Sequence, residues 1–222
     1  MSQGPHPQPE LRIVVWRLLG ALFVVQLVLA AIFRGLLLAA HGTGSVFRFQ
    51  LVNGASFVVL GVVLLVAFRP NLAVLGLSLA GRSARTRWLS LLGVAAVLAL
   101  VITSRSFGIM PFVLNLTFGL AVPAFEELLF RGWVFGKLRS VSAGPRASWV
   151  AIATSAVLFG LWHLGYAPTL LQHPAHPEIV SLLAFKVGYG TVLGLATGWL
   201  RERTGGTYAP FVLHAVANIL AP

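Results

Sequence analysis

Residues 111–139, PFVLNLTFGLAVPAFEELLFRGWVFGKLR, form an apolar stretch that nevertheless carries three charged side chains close together. Glu126, Glu127 and Arg131 lie within a single run of six residues. A charge near the centre of a bilayer costs at least about 2.5–3.5 kcal/mol on insertion scales, so such residues usually face the bundle interior and mark a functional site. We therefore expect this helix to hold the functional centre of the chain.

The composition of the whole chain is that of a membrane protein. Of its 222 residues, 58% are hydrophobic and only 9% are charged, and the mean hydropathy is +0.90. Soluble domains carry about 25% charged residues, so this chain has too few polar residues to cover a surface in water. The composition predicts an all-α, polytopic transmembrane helical bundle. The sequence contains no cysteine, which excludes disulfides, thiol catalysis and thiolate metal sites.

The net charge of +11 is explained by orientation in a membrane. The basic residues stand mainly between apolar runs, and no motif for nucleic acid accompanies them, so we expect no nucleic-acid partner. The even-numbered loops hold nine Lys and Arg residues and the odd-numbered loops hold three. Because positive charge concentrates on the cytoplasmic side, we predict a multi-pass protein of the cell membrane with its N-terminus in the cytoplasm.

The apolar runs predict about seven spans, at residues 16–38, 51–68, 88–103, 111–139, 147–164, 179–200 and 208–220. The last run is short, so it is tilted, re-entrant or packed inside the bundle. We expect one integral membrane domain in three parts. These are a disordered polar tail at 1–10, N-terminal transmembrane helices with an interfacial segment at 11–110, and a helical core at 111–222.

The two neighbouring glutamates are expected to differ in their surroundings. Glu127 and Arg131 are four residues apart with the acid first, which is the favoured order for an ion pair on a helix. Glu126 points about 100° away from Glu127, so it is left as the unpaired carboxylate and suits a general base or acid. Pro123 precedes it by one helical turn and is expected to kink the helix.

Further polar side chains lie in the later spans. His163 follows Trp162 at the end of the fifth span, where a tryptophan is typical of the membrane interface. His214 and Asn218 are four residues apart, so they share one face of the last helix. They could donate hydrogen bonds to a developing oxyanion, or hold a metal or a water molecule. Lys186, inside the sixth span, is expected to be paired or to extend to the interface.

Three motifs in this order resemble one known family. EELLFR at 126–131 matches Glu-Glu-x-x-x-Arg, FGLWH at 159–163 matches Phe-x-x-x-His, and HAVAN at 214–218 matches His-x-x-x-Asn. On successive apolar helices they resemble the CAAX-processing and bacteriocin-processing (CPBP, or Abi) family of intramembrane endopeptidases. The resemblance covers residues 111–220 and implies that 111–222 is a catalytic core.

The resemblance implies a role for each motif residue. Glu126 would be the catalytic glutamate that activates water, and His163 would assist it. Glu127 and Arg131 would hold that helix and support the site. The implied reaction is hydrolysis of a peptide bond within the membrane.

The resemblance also bears on the oxyanion and on cofactors. His214 and Asn218 would form the oxyanion hole. The family has been described both as metalloproteases and as glutamate proteases that need no metal, so the cofactor is either none or a divalent metal such as zinc. If a metal is present, Glu126, His163 and His214 would supply three ligands.

The implied partners are the lipid bilayer and a peptide or protein substrate that is lipidated or inserted in the membrane. Some relatives remove the last three residues of prenylated proteins, and others resemble bacteriocin maturation and self-immunity proteins. The alternative is a non-catalytic membrane immunity or scaffold protein that uses the same buried polar cluster. A proton-coupled transporter is disfavoured because the sequence shows no repeated halves.

Overall fold

The computed structural model describes residues 8–42 and 44–220, which form seven helices and no strand. The first six are long and apolar enough to cross a membrane, whereas the seventh has only 13 residues. The prediction of an all-α polytopic bundle with about seven spans is therefore confirmed. The helices are α1 (Gln8–Ala39), α2 (Val46–Phe68), α3 (Ala84–Thr103), α4 (Ile109–Val141), α5 (Ala147–Leu170), α6 (Ile179–Thr204) and α7 (Tyr208–Leu220).

The ends of two helices differ from the sequence prediction. α1 begins at Gln8, three residues inside the stretch predicted to be a polar tail, and residues 1–7 lie outside the described residues. α5 runs past the predicted end at 164, because a 3₁₀ turn at His163–Tyr166 leads into a last helical turn at Ala167–Leu170. Pro168 stands in the first turn of that piece, where its missing N–H costs nothing.

The segment between α2 and α3, for which the sequence predicts an interfacial position, contacts the core of the bundle through Leu75 and Arg82. Leu75 is 5% exposed and packs against Gly132 of α4. The guanidinium of Arg82 donates to the carbonyl oxygens of Thr204 and Gly205 at the end of α6. The last carbonyls of a helix lack partners within the helix and carry partial negative charge, which favours a cation there.

Glycines set the close approach of α5 and α6. A Cβ atom at Gly194 would lie 2.9 Å from the Cα of Ala156, and one at Gly198 would lie 3.3 Å from Ile152. Small residues let membrane helices approach closely, and the glycines of α6 permit such an approach at these positions. Gly188 differs, because a Cβ there would meet nothing within 4 Å.

The N-terminal helices pack directly on the core formed by α4 to α7. Phe57 of α2 meets Phe125 of α4 edge to face, with ring centroids 5.5 Å apart. The buried side chain of Gln26 in α1 donates from Nε2 to the backbone oxygen of Trp162 at 2.8 Å. These contacts enclose the charged part of α4 on the side of α1 and α2.

Candidate active site

The backbone of α4 is irregular around its charged residues. Residues 115–121 and 128–134 form π-helical turns on either side of the segment Val122–Glu127. Such turns place an extra residue in the helix and are frequent at functional sites. Pro123 has no N–H, so the regular ladder of hydrogen bonds cannot continue through it. The first π-turn ends two residues before this proline.

Asn218 satisfies a backbone carbonyl that the proline leaves open. In the register of the first π-turn, the N–H of Val122 donates to the oxygen of Thr117, five residues back. The next bond would run from residue 123 to the oxygen of Phe118, but Pro123 has no hydrogen to give. Asn218 of α7 donates from Nδ2 to that oxygen at 2.9 Å. This hydrogen bond therefore links α7 to α4 on the N-terminal side of the two glutamates.

The three clustered charges in the middle of α4 are all buried, with Glu126 at 2%, Glu127 at 1% and Arg131 at 0% exposure. The predicted ion pair is present, since Arg131 Nε lies 3.3 Å from Glu127 Oε2. These two atoms are close but not aligned as a hydrogen bond. The pair is thus mainly electrostatic and fixes the rotation of α4.

The guanidinium of Arg131 is held by α5 and α6 as well. Its Nη2 donates to Thr197 Oγ1 and, at 3.1 Å, to the backbone oxygen of Gly194. Its central carbon lies 4.6 Å from the centre of the Phe159 ring, which provides a cation–π contact. The close packing at Gly194 brings these acceptors within reach of the cation.

His214 joins the two glutamates. Its Nδ1 lies 2.9 Å from Glu127 Oε1, and its Nε2 lies 3.6 Å from Glu126 Oε2. The side chain is buried, with 3% of its surface exposed. A carboxylate acceptor on one ring nitrogen fixes the orientation of an imidazole and leaves the other nitrogen for the reacting groups. Arg131, Glu127 and His214 therefore form a buried chain that ends at Glu126.

Glu126 is surrounded by donors, which corrects the prediction that it is the unpaired carboxylate. Its Oε1 accepts from the indole N–H of Trp162 at 2.9 Å and from the hydroxyl of Tyr166. Trp162 itself is only 3% exposed, so it is not an aromatic residue of the membrane interface as the sequence suggested. With two donors on Oε1, the second oxygen, Oε2, is the one left to act on a substrate or a water molecule.

His163 lies beside this cluster. Its Nδ1 is 2.9 Å from the backbone oxygen of Phe159, one helical turn earlier. Its ring packs edge to face against Tyr166, with centroids 5.4 Å apart. That contact places His163 next to a hydroxyl that binds Glu126.

The arrangement does not fit a shared metal ion among the residues that the structure describes. No three His, Asp or Glu side chains in that part of the chain lie where they could bind one ion together. Zinc in a catalytic site takes three protein ligands and keeps one open position. Glu126, His163 and His214 are neighbours, but they do not form such a donor set.

Three further residues belong to the site but were not predicted to do so from the sequence, namely Trp162, Tyr166 and Thr197. Tyr166 stands four residues after Trp162, so both reach Glu126 from successive turns of α5. Their spacing was visible, but aromatic residues at the end of an apolar helix are also the usual pattern of a membrane interface. Thr197 was not predicted to meet Arg131, because only the packing of α6 against α5 and α4 brings it there.

The comparison with protein families agrees with the motifs and the geometry. Residues 108–220, about half of the chain, match the family model described as Type II CAAX prenyl endopeptidase Rce1-like. No curated protein and no solved structure gives a significant match to the chain. The matched segment contains α4 to α7 and every motif residue of the buried cluster. The chain therefore belongs to the Type II CAAX prenyl endopeptidase Rce1-like family.

Proposed function

We propose that this protein is an intramembrane endopeptidase that hydrolyses a peptide bond with water activated by Glu126. The observation that carries the proposal is a carboxylate, 2% exposed inside a membrane helix, whose one oxygen is fixed by two donors. A group so positioned can take a proton in a defined direction. Membership of a family named for CAAX prenyl endopeptidases supports the same type of reaction.

The proposed reaction begins with water beside Glu126 Oε2. The carboxylate takes a proton, and the water oxygen forms a bond to the carbonyl carbon of the scissile peptide. The proton is then delivered to the leaving nitrogen as the C–N bond breaks, which gives a carboxylic acid and an amine. His163 assists this transfer from its place beside Tyr166.

We assign the stabilisation of the oxyanion in the tetrahedral intermediate to His214, together with Asn218 on the next turn of the same helix. The position of His214 Nε2, 3.6 Å from Glu126 Oε2, supports this role, because the attacked carbonyl would lie beside both groups. Donors placed in advance where charge develops are a large part of catalysis. Asn218 already donates to Phe118, so its share of this role depends on the remaining N–H of its amide.

The proposed substrate is a peptide or protein with a prenyl group or an apolar segment, because the site lies within membrane-spanning helices. Residues 111–222 form the proposed catalytic core within one integral membrane domain. The orientation predicted from the positive charges, with the N-terminus in the cytoplasm, belongs to the same proposal.

The test compares protein termini in cells that express the wild type or Glu126→Gln at matched levels. New termini are expected with the wild type and absent with Glu126→Gln, and they would name the substrate. Glu10→Gln, an exposed carboxylate near the start of α1, serves as the control and should retain the new termini. Identical termini in all strains, with a phenotype that survives Glu126→Gln, would contradict the proposal and favour a non-catalytic immunity or scaffold protein.

A further inference from the structure

Lys186 is a cation inside a membrane helix that the proposed mechanism does not use. It stands two turns into α6, is partly buried, and is one of only two lysines in the sequence. Charges within membrane helices are costly and usually find partners. In the described part of the chain, the ammonium group takes part in no ion pair or hydrogen bond, unlike the buried guanidinium of Arg131.

Lys186 lies beside the candidate active site. Gly190, one turn later on the same face of α6, touches His163, since a Cβ there would lie 2.8 Å from His163 Cε1. Lys186 and Gly190 are four residues apart, so the lysine side chain starts from the same face of α6 that meets His163. Glu126 forms no ion pair with the Lys186 ammonium. Trp162 and Tyr166 occupy one oxygen of that carboxylate, and the other oxygen faces His214.

We propose that Lys186 binds the free α-carboxylate at the C-terminus of the substrate, on the side of the scissile bond that leaves. This inference rests on the proposed function and adds to it the recognition of a chain end. A CAAX motif ends the chain that carries it, so the fragment released from such a motif has a carboxylate. Three extended residues span about 10 Å. Lys186 lies one helical turn, about 5.4 Å, from the residue of α6 that touches His163. This rise and the length of the lysine side chain together cover a similar distance.

A membrane could also supply the anion, as the phosphate of a lipid head group. The position of Lys186 favours the substrate, because the residue lies on the α6 face that contacts His163 and α5. A lysine that served only lipid would be expected to extend along the outer face of the bundle. The two sources are separated by changing the peptide end and the lipid independently.

The experiment uses the full chain with Glu126→Gln, which blocks cleavage, reconstituted in phosphatidylcholine vesicles. The probes are two fluorescent farnesylated CAAX peptides that differ only in a free C-terminal carboxylate or a C-terminal amide. The carboxylate form is expected to bind about 10- to 100-fold more tightly, as for a charge-assisted hydrogen bond. Adding Lys186→Met should remove this preference, whereas Lys186→Arg should keep most of it.

Lys137→Met is the matched control, because it removes the other lysine, which is exposed near the far end of α4. It should leave the preference for the carboxylate unchanged. Equal binding of both peptides by the protein with Lys186, or a preference that survives Lys186→Met, would overturn this inference and leave the peptidase proposal standing. A preference that disappears once anionic lipid is added would assign the site to head groups and overturn it too. Binding of neither peptide by any variant would overturn the substrate class itself.

Discussion

At the level of single residues, the site depends on two neighbouring glutamates with different partners. Glu127 meets a guanidinium and an imidazole, whereas Glu126 meets an indole, a hydroxyl and the far side of the same imidazole. Glu127 is therefore bound on both sides by groups that can carry positive charge. The second oxygen of Glu126, Oε2, lies 3.6 Å from His214 Nε2.

The hydroxyl of Tyr166 is expected to hold the Glu126 carboxylate in its reactive orientation. Tyr166→Phe removes one donor from Oε1 and lets the carboxylate rotate, so kcat should fall about 10- to 100-fold, as for a lost hydrogen bond to a charged group. KM for a cleaved peptide should change little. Tyr189→Phe, on the exposed side of α6, is the control, and an unchanged kcat in Tyr166→Phe would contradict this role.

Arg131 is expected to matter for stability as well as for the site. Arg131→Leu leaves the buried carboxylate of Glu127 without its cation, which costs about 3–5 kcal/mol. Arg139→Leu breaks the half-exposed pair with Glu202, 3.5 Å long, and should cost about 1 kcal/mol or less. Unfolding of both purified variants in detergent measures the difference in their loss of stability. Equal losses would contradict the prediction that the buried pair of Arg131 contributes more than the half-exposed pair of Arg139.

The sequence was sufficient for only part of the site. The pair of Glu127 with Arg131 follows from helical spacing alone. The approach of His214 to both glutamates does not, because it depends on how α7 packs against α4. The donors to Glu126 were missed because burial, not spacing, separates Trp162 from an interfacial tryptophan.

At the level of helices, α4 combines a proline, two π-turns and a hydrogen bond received from α7. The kink expected at Pro123 is accompanied by π-turns at residues 115–121 and 128–134. A proline in the sequence predicts a local break. It does not predict which neighbouring helix will bind the carbonyl that is left without a donor.

Asn218 and Pro123 should therefore be coupled in stability. Asn218→Ala leaves the oxygen of Phe118 without a donor, which should cost about 1–3 kcal/mol. With Pro123→Ala, residue 123 regains an N–H that can donate to that oxygen, so the same Asn218→Ala change should cost less. A double-mutant cycle by unfolding in detergent measures this coupling. Strictly additive losses would contradict the assignment.

The contact of α5 with α6 offers a matched pair of glycines. Gly194→Ala puts a Cβ 2.9 Å from the backbone of Ala156, and overpacking of this kind costs about 1–3 kcal/mol. Because the backbone oxygen of Gly194 also accepts a hydrogen bond from Arg131, the substitution should lower activity as well as stability. Gly188→Ala meets open space and should be neutral or slightly stabilising by helix propensity. Equal effects of the two changes on unfolding would contradict the described packing.

At the level of the whole molecule, a helical bundle encloses the charged cluster. The C-terminal half of the sequence carries recognisable motifs, whereas the N-terminal half is recognisable only as apolar helices. The number and order of the helices were predictable from hydropathy, because a bilayer fixes the length of a spanning helix. The packing of α1 and α2 on the core was not, since uniformly apolar helices have no distinct face. The contact of Gln26 with Trp162 links α1 to a residue that binds Glu126.

The most direct measurement is cleavage of a farnesylated CAAX peptide by the purified full chain in liposomes, with products identified by mass spectrometry. The wild type and the control Glu10→Gln should release the C-terminal fragment at similar rates. Glu126→Gln should remain folded but release none above the background, because the carboxylate that accepts the proton from water is gone. Cleavage by Glu126→Gln at the wild-type rate would contradict the role of this carboxylate in catalysis.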